Sequence, residues 1–83
     1  MRDLRQISAS WWVKLNDKYT KGLPDVIGVH LGTFYAIELK RKGEKPRPLQ
    51  EYILEKIRTA GGVIRWFDDY ENFKKWKEEE FSR

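Results

Sequence analysis

Glu38-Leu39-Lys40 sets a carboxylate and an ammonium two residues apart within a β-forming run. Alternate side chains of a strand leave the same face, so both groups point one way. Asp25 precedes a second β-type run, and hairpin geometry decides whether it joins them. If Gly32-Thr33 makes a two-residue turn, Leu31 faces Phe34 and Asp25 faces Lys40; if Leu31-Gly32 makes it, Asp25 faces Glu38. Either register gathers the three groups on one face, whereas an unbulged three-residue loop sends Asp25 to the other side. Two converging carboxylates repel each other, and a hard divalent cation with oxygen ligands relieves that repulsion. Mg²⁺ suits such a site better than Zn²⁺, since the chain has no Cys and a single His, His30, which reads as structural or solvent-facing. Beside the ion, Lys40 can polarise a water for attack on phosphorus and steady the charge that develops.

A Glu-x-Lys on a strand is commonly only a surface ion pair contributing little. Two features set this one apart. Pro24-Asp25 stands upstream with matching parity, and the strands are apolar on both faces, with Ile27, Val29, Phe34 and Ala36 on one and Val26, Tyr35, Ile37 and Leu39 on the other. Three ionisable groups at the end of a sheet buried on both sides are costly unless they bind something.

The elements that must position these residues follow from the pattern. Leu4 and Ile7 allow a short helix or arm. Trp11 to Leu15 is rich in aromatic and branched residues and stops at Asn16-Asp17, which suits a strand, with a loop from Lys18 to Gly22. Val26 to His30 and Phe34 to Lys40 form the hairpin, and Gly43 to Pro48 ends it in a turn. Leu49, Ile53, Ile57 and Ala60 recur at helical spacing from Pro48, and Gly61-Gly62 supplies a left-handed stop. Val63 to Phe67 reads as a strand, and Asp68-Asp69 can cap a last helix with Tyr70, Phe73 and Trp76 on one face. The strand–helix–strand passage from Phe34 to Phe67 is a parallel crossover, so the fold class is α/β with a mixed sheet in a single domain spanning residues 1–83.

With 83 residues and no cysteine, the chain must draw its stability from apolar packing or from a partner subunit. Its 12 aromatic residues make that packing feasible; Trp66, Phe67, Phe73 and Trp76 are expected in the core, while one of Trp11 and Trp12 is expected to stay exposed. No apolar run is long enough for a membrane span and no signal-peptide pattern occurs, which points to an intracellular, cytoplasmic protein. The charge is +4, from 17 Lys and Arg against 13 Asp and Glu. Lys40, Arg41, Lys42, Lys45 and Arg47 concentrate it in the turn after the Glu-x-Lys strand, as a phosphate-contacting surface would require.

Taken together, Gly22-Leu23-Pro24-Asp25-Val26-Ile27-Gly28, Tyr35-Ala36-Ile37-Glu38-Leu39-Lys40-Arg41 and Pro46-Arg47-Pro48-Leu49-Gln50 resemble the VRR-NUC branch of the PD-(D/E)XK nuclease superfamily. The resemblance extends upstream through Trp11-Trp12-Val13-Lys14 and downstream through Ala60-Gly61-Gly62-Val63. It implies a restriction-endonuclease-like αβββαβ core with an extra C-terminal helix here. It implies Asp25, Glu38 and the Leu39 backbone carbonyl as ligands of Mg²⁺ or Mn²⁺, Lys40 as the catalytic lysine, and Gln50 as an active-site residue placing water or phosphate. Lys14, Arg41, Lys42, Lys45 and Arg47 become the candidate DNA contacts. Small stand-alone members are typical of bacteriophages and bacteria and are thought to act as homodimers on branched DNA, four-way (Holliday) junctions included. Two departures stand out. No Glu precedes Glu38, although the family's longer first helix usually supplies one to the metal site, and Asp3 is a poor substitute by position. Asn16-Asp17 replaces a frequent His-Gly.

The leading expectation is therefore a Mg²⁺- or Mn²⁺-dependent DNA endonuclease. A catalytically weak or inactive nucleic-acid-binding module of the same fold is the alternative, motivated by the absent glutamate, and a basic hairpin docking on an acidic partner is a third.

Overall fold

The computed structural model describes residues 2–15 and 21–82. Its order is α1 (Arg2–Arg5), β1 (Ser10–Lys14), β2 (Val26–His30), β3 (Thr33–Leu39), α2 (Pro48–Thr59), β4 (Val63–Phe67) and α3 (Tyr70–Glu80). The expected strand stop at Asn16-Asp17 and most of the loop that follows lie outside the described residues.

The four strands form one sheet in the order β1-β2-β3-β4; the first three are antiparallel, and β4 runs parallel to β3. The fold is α/β with a mixed sheet. A two-residue turn joins β2 to β3, with Leu31 at φ 48° and Gly32 at φ 85° between the paired His30 and Thr33. Consecutive left-handed residues give a turn whose twist matches that of the strands it joins. The Leu31-Gly32 register is thus the one adopted, and the alternative that places Asp25 opposite Lys40 is excluded.

One sheet face carries Trp12, Val26, Tyr35, Ile37 and Phe67 and packs against Leu4, Ile7, Phe73, Trp76 and Phe81. Gly28 is required there, because a Cβ would lie 2.2 Å from the Trp12 ring. The ring occupies that space and is 4% exposed. His30 packs edge-on against Phe81 with ring centroids 4.9 Å apart, a structural role as expected.

The other face meets α2. Pro48 opens that helix, whose φ-fixed ring suits a first turn with no N–H partner to lose, and Gly61 at φ 104° follows its end. Gly22 lets the segment leading to Asp25 lie against the helix, since a Cβ would come within 2.6 Å of Leu49. The helix buries Leu54 most deeply; of the expected line, Ile53 and Ile57 are half-buried, and Leu49 and Ala60 are exposed. A single helix cannot span four strands, so Trp11, Phe34 and Trp66 on this face remain exposed. The sequence pattern groups Trp66 with Phe67, Phe73 and Trp76 in the core; the parity of β4 instead turns it to the opposite side from theirs.

Candidate functional site

Asp25 and Glu38 are brought together by the ladder. Beyond the Val26–Ile37 pair, one further step puts Asp25 across from Glu38 on the face that meets α2. Asp25 stays in register because its carbonyl accepts the Leu15 N–H at 2.8 Å, continuing the β1–β2 pairing. Its carboxylate is aimed by the Leu39 N–H, which donates to Oδ2 at 2.7 Å.

Glu38 is fully buried, at 0% exposure, and neither carboxylate oxygen meets a hydrogen-bond donor among the described residues. An ionised carboxylate in that position is expensive. Its pKa is raised from 4.5 to about 8, chiefly by burial, with the facing Asp25 carboxyl adding to the rise and the Lys40 cation acting in the opposite sense. Two carboxyl groups at hydrogen-bonding range can be held together by one proton or by one cation.

Lys40 follows β3 directly. Its N–H donates to the Phe67 carbonyl at 2.8 Å, extending the β3–β4 ladder by one residue. The residue is half-buried and lines a cleft with Leu39, Phe67, Asp69 and Tyr70, and its cation acts on the nearby Glu38 carboxyl.

Gln50 reaches the site from the other side. It lines a cleft of about 440 Å³ with Asp25, Lys21, Arg47 and Leu49, within the size range of ligand sites. Its Oε1 accepts the Arg47 N–H at 2.8 Å and caps α2. The amide nitrogen is the part of Gln50 left to meet a ligand. The positive end of the α2 dipole and the Arg47 side chain border the same cleft, a setting that favours an anion.

The basic turn is anchored rather than free-swinging. Gly43 N–H donates to Asp68 Oδ2 at 3.0 Å, and Lys42 pairs with Asp69 at 3.2 Å. Asp69 also caps α3 by accepting from Glu71 N–H, and that bond first and Lys42 second hold its pKa below the usual carboxylate value. Arg41, Lys45 and Arg47 are exposed. Asp68 and Asp69 are legible in the sequence only as a helix cap, because their reach to the turn depends on β4 lying beside β3. Lys14 is exposed on the opposite face from Asp25 and Glu38, in register with Val26 and Ile37. It is the one candidate DNA contact that the sheet separates from the carboxylate pair.

Among the described residues no group of three or more His, Cys, Asp or Glu side chains is placed to hold a metal ion. The side chain of Asp3 lies outside the described residues. The donor set here is two carboxylates, with the Leu39 backbone between them and Lys40. Hard oxygen donors without sulfur or imidazole fit Mg²⁺ or Mn²⁺, and the Glu38 oxygens that lack any donor are what a cation would satisfy. The sequence matches no family model and no curated protein.

Proposed function

We propose that this chain is a metal-dependent DNA endonuclease of the PD-(D/E)XK type, with its αβββαβ portion as the restriction-endonuclease-like core. The observation that carries this reading is the buried Glu38 carboxyl, without a donor among the described residues, facing Asp25 and flanked by Lys40. Such an arrangement destabilises the fold unless a cation or proton occupies it, and a cation there lies beside a surface rich in Lys and Arg.

Asp25, Glu38 and the Leu39 carbonyl would hold Mg²⁺ or Mn²⁺, which when bound supplies Lewis-acid stabilisation of a phosphodiester and acidifies a bound water. Lys40 orients the attacking water and offsets negative charge developing on phosphorus. Gln50, already fixed at Oε1 by Arg47, uses its amide N–H to position phosphate or water. The exposed cations Arg41, Lys45 and Arg47 hold the DNA backbone without reading sequence. Lys14 serves the same end only for a strand that wraps the β1 edge.

A binding module that retains the fold without turnover is the second reading. The absence of any glutamate before Glu38 in the sequence favours it. A panel of duplex, flap and four-way DNA incubated with Mg²⁺, Mn²⁺ or chelator separates the two: metal-dependent strand scission supports the enzyme, and salt-sensitive binding without scission supports the module.

We propose also that the chain acts as a homodimer, which suits two-fold branched substrates. Trp12 is packed inside the subunit. Trp11, at 60% exposure and in register with Val29 and Phe34, forms an apolar surface that a second copy would cover.

A further inference from the structure

Trp66 is the register partner of Glu38 on β4, which is an edge strand of the sheet. Paired residues on adjacent strands share a face, and the strands lie about 4.8 Å apart. The indole therefore emerges next to the carboxylate site, on its side of the sheet and at its open margin. It is 41% exposed. Trp12 and Trp76 are both embedded in ring–ring contacts, whereas among the described residues Trp66 joins no aromatic or cation–π pair. It lies on the face that meets α2, which leaves it partly open to solvent, and Lys40 and the basic turn leave the sheet at the same end.

We propose that Trp66 is a substrate-selecting residue that stacks on an unpaired nucleobase flanking the phosphodiester held at Asp25 and Glu38. This inference rests on the nuclease reading and specifies its substrate class. In an intact duplex both faces of an internal base are occupied by its neighbours, so an indole at the site margin gains a π partner only where stacking is interrupted. Flaps, bulges and branch points provide such bases. Base–aromatic stacking is insensitive to base identity, so the selection is for structure rather than sequence.

The test compares a duplex with the same sequence carrying an unpaired 2-aminopurine beside the cut, using parental protein, Trp66→Leu and Trp66→Phe. Leucine keeps apolar bulk without a π face, and phenylalanine restores one; thermal melting checks that each is folded. The parental protein should quench 2-aminopurine and cleave the interrupted substrate preferentially. Trp66→Leu should lose the quench and raise KM for that substrate about 5- to 100-fold, erasing the preference, with Trp66→Phe recovering most of it. A folded Trp66→Leu protein that retains both preference and quench overturns the proposal, as does a parental protein that cleaves both substrates alike without quenching. Absence of any metal-dependent cleavage by the parental protein removes the nuclease reading itself, a result that quenching distinguishes because it needs no turnover.

Discussion

Replacing Glu38 with Gln should make the metal-free protein more stable at neutral and alkaline pH while abolishing its response to divalent cations. In the folded protein the Glu38 carboxyl keeps its proton until about pH 8, against 4.5 in the unfolded chain. Between those values the folded state binds more protons than the unfolded one, so stability falls as pH rises. The contribution is fully present below pH 4.5 and lost by about pH 8. The displacement of about 3.5 units corresponds to roughly 5 kcal/mol over the whole range, of which about 2 kcal/mol falls between pH 6 and pH 8. For a domain of this size that lowers the melting temperature by roughly 8–16 °C. Glutamine has nearly the same shape, offers Asp25 an N–H donor and does not titrate, so melting of Glu38→Gln in chelator should be much flatter from pH 6 to pH 9. The same reasoning fixes the proton balance of metal binding. At pH 7 a group of pKa about 8 is about 0.9 protonated, so each ion bound should release about 0.9 proton, falling to about 0.1 at pH 9. Calorimetry of Mn²⁺ binding in buffers of different ionisation enthalpy measures this number. Parallel pH profiles for parental and Glu38→Gln proteins, or metal binding at pH 7 without proton release, would refute the reasoning.

Lys40→Ala should reduce cleavage by about a hundredfold or more, with Mn²⁺ still bound in a titration, because the lysine acts on the chemical step; cleavage at the parental rate would exclude the proposed role. Neutralising Lys42, Lys45 and Arg47 together should weaken DNA binding and flatten its salt dependence, the slope falling by about 0.9 for each phosphate that is no longer neutralised. Since Lys42 is paired with Asp69, binding isotherms at several salt concentrations should show a slope change nearer that of two phosphates than of three. Trp11→Asp should convert a dimer to a folded monomer by light scattering; a parental protein that is already monomeric at high concentration would remove the dimer.

Local chemistry makes some of this fold readable. Pro48 and Gly61-Gly62 bracket α2, Asp69 caps α3, and the alternation in β2 and β3 places Asp25, Glu38 and Lys40 at one end of the hairpin, because each of these depends on residues close in sequence. The register does not yield as far. Leu31-Gly32 and Gly32-Thr33 are both acceptable two-residue turns, and only the pairing of His30 with Thr33 separates them. Exposure is less readable still. Trp66 and Phe67 are neighbours of equal apolar character, and their different fates follow from the partners each face of β4 meets: Phe67 turns into the ring cluster of Phe73 and Trp76, and Trp66 to the face that α2 covers only in part. Leu54 is hidden from a sequence reading for a related reason: it lies beside the stripe of Leu49, Ile53, Ile57 and Ala60, and its position against the sheet, with only Ile53 and Ile57 of that stripe half-buried, depends on how the helix docks.

The energetic position of Glu38 links these structural facts to the chemistry. An 83-residue chain without disulfides has total stability on the order of 5–10 kcal/mol, so a buried carboxyl whose ionisation costs a large part of that cannot be incidental to its behaviour. A proton and a divalent cation are competing solutions to one electrostatic problem, and the Leu39 N–H holds Asp25 in place for either. The protonated form suits a folded chain without metal, and the cation-bound form presents charge to a phosphodiester. Metal affinity should therefore rise about tenfold per pH unit up to about pH 8 and level off above it, and activity at subsaturating metal should follow the same curve. A metal affinity that is flat from pH 6 to pH 8 would mean that Glu38 is not the group the ion displaces from its proton, and would move the metal site away from the Asp25–Glu38 pair.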